Sequence, residues 1–474
     1  MDIRNTYNRE INHTTEQFQI IDVKEREEAA QHSHQAPPHR VQRIAMFSVH
    51  TCPLANPGGK DAGGLNVYVR QLSRALARRN IAIDVFTRRR FAQGPRIASD
   101  GPGVRVIHID AGPTSPLPKE SIALYIPEFV KHVEEFRQQE GIHYDRLHAH
   151  YWLSGLVTAQ LRAMWHVPSL VMFHTLARIK NAHLTDSEKL DSEFRADGEQ
   201  QAMDRNDLII AANRLELEEM RKYYRIPLYK ITTAPLGVDL RLFHPQDRSA
   251  ARAALGFSRK HLIFSVGRIE PLKGFDTLVH AAAQLFTEHP QLRETTELWI
   301  GGGRIDHDDP DSGTQVGQLQ NLVRQLGLNT QVRLLGAIPQ EELSLYYAAS
   351  DCTVVPSHYE SFGLVAIEAM ASGIPVVASN VGGLSLTVKD GETGFLVPPR
   401  DVSAFANRIY EVLANPQLAS AMGNASAKES AYYSWEAVAN RIEQIYARFG
   451  SFNRPDTLPQ SHRLQYATVC GCSE

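Results

Sequence analysis

From Val41 onward, short apolar runs alternate with longer stretches in which apolar residues recur at helical spacing. The runs Arg43–Val49, Ile81–Phe86, Val104–Ile109, Ser169–Phe173 and Leu208–Ala212 are largely apolar, and the short β-type run Arg146–His150 joins them with histidines among its apolar residues. That pattern belongs to strands covered on both faces. Between them, Leu65–Arg79, Ile122–Gln138, Ser154–Trp165 and Arg214–Tyr224 read as amphipathic helices. Such alternation predicts parallel βαβ units. The rhythm then restarts, with strands Leu262–Val266, Glu297–Ile300, Val332–Leu335, Cys352–Val355, Pro375–Ala378 and Gly394–Val397, and helices Phe275–Thr287, Gln315–Leu326 and Phe362–Ala371. A Pro/Gly-punctuated connection, Thr233–Asp239 and then Phe243-His244-Pro245, suits a hinge. The expectation is an α/β fold of two doubly wound, Rossmann-like domains, residues 41–240 and 241–430, facing a cleft outside the carboxyl ends of their strands. Ser434 is a good N-cap for a last helix, Trp435–Phe449, within residues 431–450. Residues 1–40 read as a flexible polar extension and 451–474 as a polar tail.

Composition narrows the class. Fifty basic against 53 acidic side chains leave a formal charge of -3, which argues against nucleic acid or an anionic membrane as partner. No run approaches ~18 consecutive apolar residues, so no membrane span is expected. The N-terminus lacks a signal-peptide layout, and four cysteines (Cys52, Cys352, Cys470, Cys472) are too few for a disulfide scaffold. A cytoplasmic enzyme is expected. No G-x-G-x-x-G follows a strand, Gly301-Gly302-Gly303 coming nearest, and neither a P-loop nor a G-x-S-x-G elbow occurs. Dehydrogenase, P-loop kinase and α/β-hydrolase chemistry therefore lose support.

Two segments carry candidate chemistry. In Val354–Ala371 a buried strand ends in a loop bearing Glu360, and a helix begins near Phe362-Gly363 with Glu368 about two turns on. Exposed N–H groups at that helix start favour an anion, and the two carboxylates could bracket a polyhydroxylated ligand; as ordinary surface charges they would need no ligand. The strand Leu262–Val266 ends in Gly267-Arg268-Ile269-Glu270-Pro271-Leu272-Lys273-Gly274. Arg268 and Lys273 there could neutralise a leaving diphosphate without a metal, or be solvated loop charges.

Glu360-x7-Glu368 with Ser361-Phe362-Gly363, following Arg268 and Lys273, resembles the donor site of retaining family 4 glycosyltransferases of the GT-B fold. The resemblance runs from Val41 to about Gly450. It implies that Arg268 and Lys273 hold a nucleotide diphosphate, Glu368 the ribose and Glu360 the transferred sugar. Ser361, Phe362, Gly363, Leu364, Gly63 and Gly64 would line the donor. It also implies a terminal helix crossing back onto the first domain. Gly382-Gly383 fits a further family loop, or a simple turn.

The first-domain stretches Ser48–Leu54 and Asp61–Val69 resemble both the sucrose-phosphate synthase branch and the D-inositol-3-phosphate glycosyltransferases of mycothiol synthesis. His148–Gly155, His174-Thr175-Leu176-Ala177 and Ser192-Glu193-Phe194-Arg195 before Glu199 resemble the latter more closely, although Leu65 stands where that branch is expected to carry methionine. By that likeness Lys119, Tyr151, Thr175 and Arg195 would surround an acceptor phosphate, with His50 and Asn66 near a polyol ring. His174 would orient the donor sugar. The implied reaction moves glucose or N-acetylglucosamine from a UDP-sugar to a phosphorylated polyol or sugar, with no cofactor or essential metal and no enzyme nucleophile; a homodimer is allowed. Fructose 6-phosphate is the rival acceptor, and a noncatalytic sugar-nucleotide-binding protein or a GT-B phosphorylase the rival classes. Three metal readings are weaker than structural ones: Asp306-His307-Asp308 in an acidic loop, His148-x-His150, and Cys470-Gly471-Cys472 in the tail.

Overall fold

The computed structural model describes residues 41–55, 63–183, 190–303 and 314–449. The expectations for residues 1–40 and 451–474, for Asp61 and for Asp306–Asp308 lie outside the described residues.

The first half of the chain builds one sheet from β1 (Arg43–Phe47), β2 (Ala82–Arg88), β3 (Ile97–Ser99), β4 (Val104–Ile109), β5 (Arg146–His150), β6 (Ser169–Met172), β7 (Leu208–Ala211) and β8 (Ile231–Thr233). Their order is β3-β4-β2-β1-β5-β6-β7-β8. All pairings are parallel except β3 against β4. The order turns at β1, which pairs with β2 on one side and β5 on the other. Crossovers there run to opposite faces and open a crevice at the strand ends.

The second half repeats the plan with β9 (His261–Val266), β10 (Thr296–Gly301), β11 (Val332–Gly336), β12 (Cys352–Val355), β13 (Val376–Ser379) and β14 (Gly394–Val397), ordered β11-β10-β9-β12-β13-β14. Its switch point lies between β9 and β12, the strands that carry the Lys273 and Glu360 loops. Fully buried side chains such as Ile263, Leu298, Val354 and Val377 form its core, and Phe47, Leu147, Val171 and Ile209 that of the first sheet.

The helix Trp435–Phe449 returns to the first sheet. Arg146 donates to Tyr446 O at 3.0 and 2.8 Å, and Arg78 pairs with Glu436 at 3.0 Å. Ser434 caps it, its Oγ accepting from Ala437 N at 3.2 Å. The predicted hinge runs beside this helix start: Val238 N donates to Tyr433 O at 2.8 Å, and a Cβ on Gly237 would lie 2.5 Å from the Trp435 ring.

Several elements differ from expectation, among them the following. Ile122–Gln138 is two helices, Lys119–Ile122 and Ile126–Gln139, parted by a 3₁₀ turn; Pro127 opens the second, where its missing N–H costs nothing. Phe362–Ala371 begins later, at Leu364, because Gly363 sits at φ +91°. A polar helix, Glu193–Arg205, was not foreseen.

Candidate functional site

At the carboxyl ends of β1, β5 and β6 the structure gathers five of the six predicted acceptor residues. The Lys119 ammonium lies 5.5 Å and the Arg195 guanidinium 5.2 Å from the centre of the Tyr151 ring. The His50 ring lies 4.5 Å from Tyr151, centroid to centroid. Arg195 donates to Thr175 Oγ1 at 3.0 Å and to Thr175 O at 3.1 Å. Burial, and then Lys119, His174 and Arg195, hold His50 well below the usual histidine range, so it is neutral. Two cations, a hydroxyl and a phenol in one cluster suit an anion.

The sixth, Asn66, is committed to the fold. Its amide donates to Thr51 Oγ1 at 2.8 Å and Cys52 O at 2.6 Å, and accepts from Gly63 N at 3.2 Å. It therefore shapes the loop over β1 and caps the helix Gly64–Ala77.

His174 sits beyond β6 at φ +65°. Its Nε2 is 3.1 Å from His150 Nδ1, and burial pushes its pKa down to about 3. Its carbonyl accepts from Ser361 Oγ at 3.3 Å, and Ser361 O accepts from Asn213 Nδ2 at 2.8 Å. Tyr359 buries its ring in the first sheet's core and stacks on His183 at 4.8 Å. The loop Tyr359–Phe362 is thus seated on the first domain.

Among the predicted donor residues, Lys273 donates to Glu360 Oε2 at 2.6 Å. Close backbone packing fixes this pair. Gly274, at φ +65°, has Pro356 O where a Cβ would stand, and a Cβ on Gly382 would lie 2.1 Å from Glu360 O. Gly383 N donates to Glu360 O at 2.9 Å, so Gly382-Gly383 is a clamp on the Glu360 loop rather than a simple turn. Arg268 is not drawn into this pair; it extends outward, 62% exposed, to Glu270 at 2.9 Å. Glu368 is buried in the helix Leu364–Ala371, accepts from Tyr347 OH at 2.9 Å, and is pushed up to about 7 by burial. Phe362 is buried, Gly363 is the left-handed residue ahead of that helix, and a Cβ on Gly64 would lie 3.1 Å from Leu364 Cδ1, which sets the two glycine-opened helix starts face to face.

Residues 62–242 match the family described as Glycosyltransferase Family 4, and residues 247–429 that described as Glycosyl transferases group 1. A D-inositol 3-phosphate glycosyltransferase from Geodermatophilus obscurus is 41% identical over 410 residues, spanning 85% of this chain and 89% of the relative. The chain is a family 4 glycosyltransferase. A second relative of the same description, from Actinosynnema mirum, is 40% identical over 412 residues, 86% of this chain and 97% of the relative. Among solved structures, sucrose-phosphate synthase from Thermosynechococcus elongatus superposes with a TM-score of 0.77 at 36% identity, covering 86% of this chain and 99% of that one. HepE from Anabaena, solved in complex with UDP, shares the fold at a TM-score of 0.65 and 21% identity, over 86% of this chain and 100% of that one.

Within this glycosyltransferase, three supporting residues had no assignment from sequence. Glu199, fully buried, accepts from Arg195 Nε at 2.8 Å, Ala177 N at 2.9 Å and Tyr224 OH. Asp191 pairs with Arg195 at 2.9 Å. Arg88, buried, grips Pro113 O at 2.7 Å and Ser115 O at 2.6 Å, anchoring the loop that leads to Lys119. The i, i+4 pairs Asp191–Arg195 and Arg195–Glu199 were visible as spacings in the sequence; the contacts of Glu199 with Ala177 and Tyr224 and those of Arg88 span more distant segments. Among the described residues no three His, Cys, Asp or Glu side chains gather as metal ligands: His148 turns to Tyr446 and His150 to His174. No helix among them is long and apolar enough to cross a membrane.

Proposed function

We propose that this glycosyltransferase moves N-acetylglucosamine or glucose from a UDP-sugar to a phosphorylated polyol, inositol 3-phosphate first, retaining the anomeric configuration and using no metal. One observation carries the acceptor: Lys119 and Arg195 both lie against the Tyr151 ring, with Thr175 bonded to Arg195. Curated relatives at about 40% identity with inositol 3-phosphate in their names support the choice of polyol.

The chemistry follows from the donor side. The bond from the sugar's anomeric carbon to the UDP oxygen breaks, and one to the acceptor oxygen forms on the same face. The acceptor proton passes to the leaving phosphate. Lys273 stabilises charge growing on that phosphate, and Arg268 joins it by leaving its exposed pair with Glu270. Glu360, released from Lys273, accepts from sugar hydroxyls, Glu368 holds the ribose, and His174 orients the sugar. Two free cysteines among the described residues, Cys52 and Cys352, fit a cytoplasmic setting.

A second reading, transfer to fructose 6-phosphate, is favoured by the 36% identity to sucrose-phosphate synthase over nearly its whole length. Measuring UDP release with inositol 3-phosphate and fructose 6-phosphate, each with UDP-glucose and UDP-N-acetylglucosamine, separates the two. Turnover only with fructose 6-phosphate would replace inositol phosphate. UDP-sugar binding with no release on any acceptor would favour a noncatalytic binder.

A further inference from the structure

Behind His174 lies a polar cluster that the reaction as described does not use. Tyr68, His148, His150 and Tyr446 are all fully buried. Tyr446 OH, on the crossing helix, is 2.7 Å from His148 Nδ1; the His148 and His150 rings are 4.4 Å apart between centroids; His150 Nδ1 is 3.1 Å from His174 Nε2. Tyr68 meets His150 and His174 edge-on, at 5.5 and 5.0 Å. Tyr68 Oη, His148 Nε2 and His150 Nε2 are buried without a hydrogen-bond partner. A core serving stability alone would carry Phe and Leu in these places and avoid that cost. Of the four rings in line from Tyr446, only His174 is partly open to solvent, at the strand end where the Ser361 loop docks.

We propose that His150 is a positioning residue for His174, backed by His148 and Tyr446. A neutral imidazole carries one N–H. Between His150 Nδ1 and His174 Nε2 one nitrogen donates and the other accepts, so His174 cannot turn its ring over without losing the bond. Its Nδ1 is then the nitrogen left for a sugar hydroxyl, and its tautomer is set by whether His150 donates or accepts. Through Tyr446 the crossing helix sets the rear of the same stack. This inference rests on the assignment of His174 to the donor sugar.

Three variants test it. His150→Asn places an amide nitrogen or oxygen where Nδ1 stood; His150→Leu fills the space without a polar atom; His174→Ala removes the group being positioned. Expected are a kcat lowered about tenfold or more in His150→Leu, KM for donor and acceptor within about twofold, and recovery in His150→Asn to within about threefold of wild type. Equal losses in the Asn and Leu variants would make His150 a packing residue and overturn the proposal, as would wild-type kcat in His150→Leu. Wild-type kcat in His174→Ala would instead remove His174 from the reaction. Should His150→Leu not fold, ¹⁵N-histidine spectra of the wild type decide, with the His174 resonance identified by its loss in His174→Ala. One tautomer at His174 supports the proposal, and a tautomer mixture overturns it.

Discussion

Replacing Glu199 by Gln changes one atom in the support of Arg195. Three donors converge on this carboxylate: Arg195 Nε on one oxygen, Ala177 N and Tyr224 OH on the other. A glutamine offers one oxygen and an NH₂, so a donor must face either Arg195 or the Ala177 N–H. Losing one charge-assisted bond in a fully buried setting costs about 2 kcal/mol. The remaining anchors of Arg195 are Asp191, which is half-buried, and Thr175, the group it is meant to share with the acceptor. If Arg195 loses its place by that amount, kcat/KM for a phosphorylated acceptor falls about 30-fold, taking tenfold per 1.4 kcal/mol. The assay is initial-rate UDP release at saturating UDP-sugar with inositol 3-phosphate varied, alongside UDP-sugar affinity by calorimetry. Donor affinity stays within about twofold, because Glu199 supports Arg195, which is proposed to hold the acceptor. A folded variant with wild-type kcat/KM would refute the coupling between Glu199 and the acceptor.

Lys273→Ala should lower single-turnover rates at saturating donor by on the order of 100-fold, and Arg268→Ala should also lower them markedly; near-normal rates in both would withdraw the diphosphate assignment. Burial pushes Glu368 up to about 7, so it gains a proton as pH falls through neutrality. UDP-sugar affinity should therefore weaken about tenfold from pH 8 to pH 6, with Glu368→Gln flattening the profile; a flat wild-type profile would remove Glu368 from the ribose. Chelator should leave turnover intact, and loss restored by manganese would call for a metal site.

Strands buried on both faces were the most legible feature of the chain. β4, β5, β12 and β14 begin and end where the sequence predicts, because most of their positions are covered on both faces, the buried polar Arg146, His148 and His150 of β5 included. The helix Glu193–Arg205 escaped for the opposite reason. Its buried face is Ala196, Gly198, Glu199, Ala202 and Met203, with Gly198 pressed so close to Trp152 that a Cβ would stand 2.5 Å from the ring. Small and ionic residues carry no hydrophobic period. At the site, the family resemblance rather than any local pattern named Lys119, Tyr151, Thr175 and Arg195, and the structure brings them together. What they could not show was pairing. Lys273 on Glu360, Arg268 on Glu270 and Asn66 on its own loop are choices among partners, made by backbone approaches such as Gly382 against Glu360 O.

On the function proposed above, Arg195 binds the acceptor's phosphate. Measuring kcat/KM for wild type and Arg195→Ala, each with inositol 3-phosphate and with inositol, tests it most directly. The account predicts that the substitution lowers kcat/KM on the phosphorylated acceptor by about 30-fold or more and leaves the weak use of inositol nearly unchanged, because the lost guanidinium has nothing to bind there. Equal losses on both acceptors, or equal use of the two by the wild type, would contradict it.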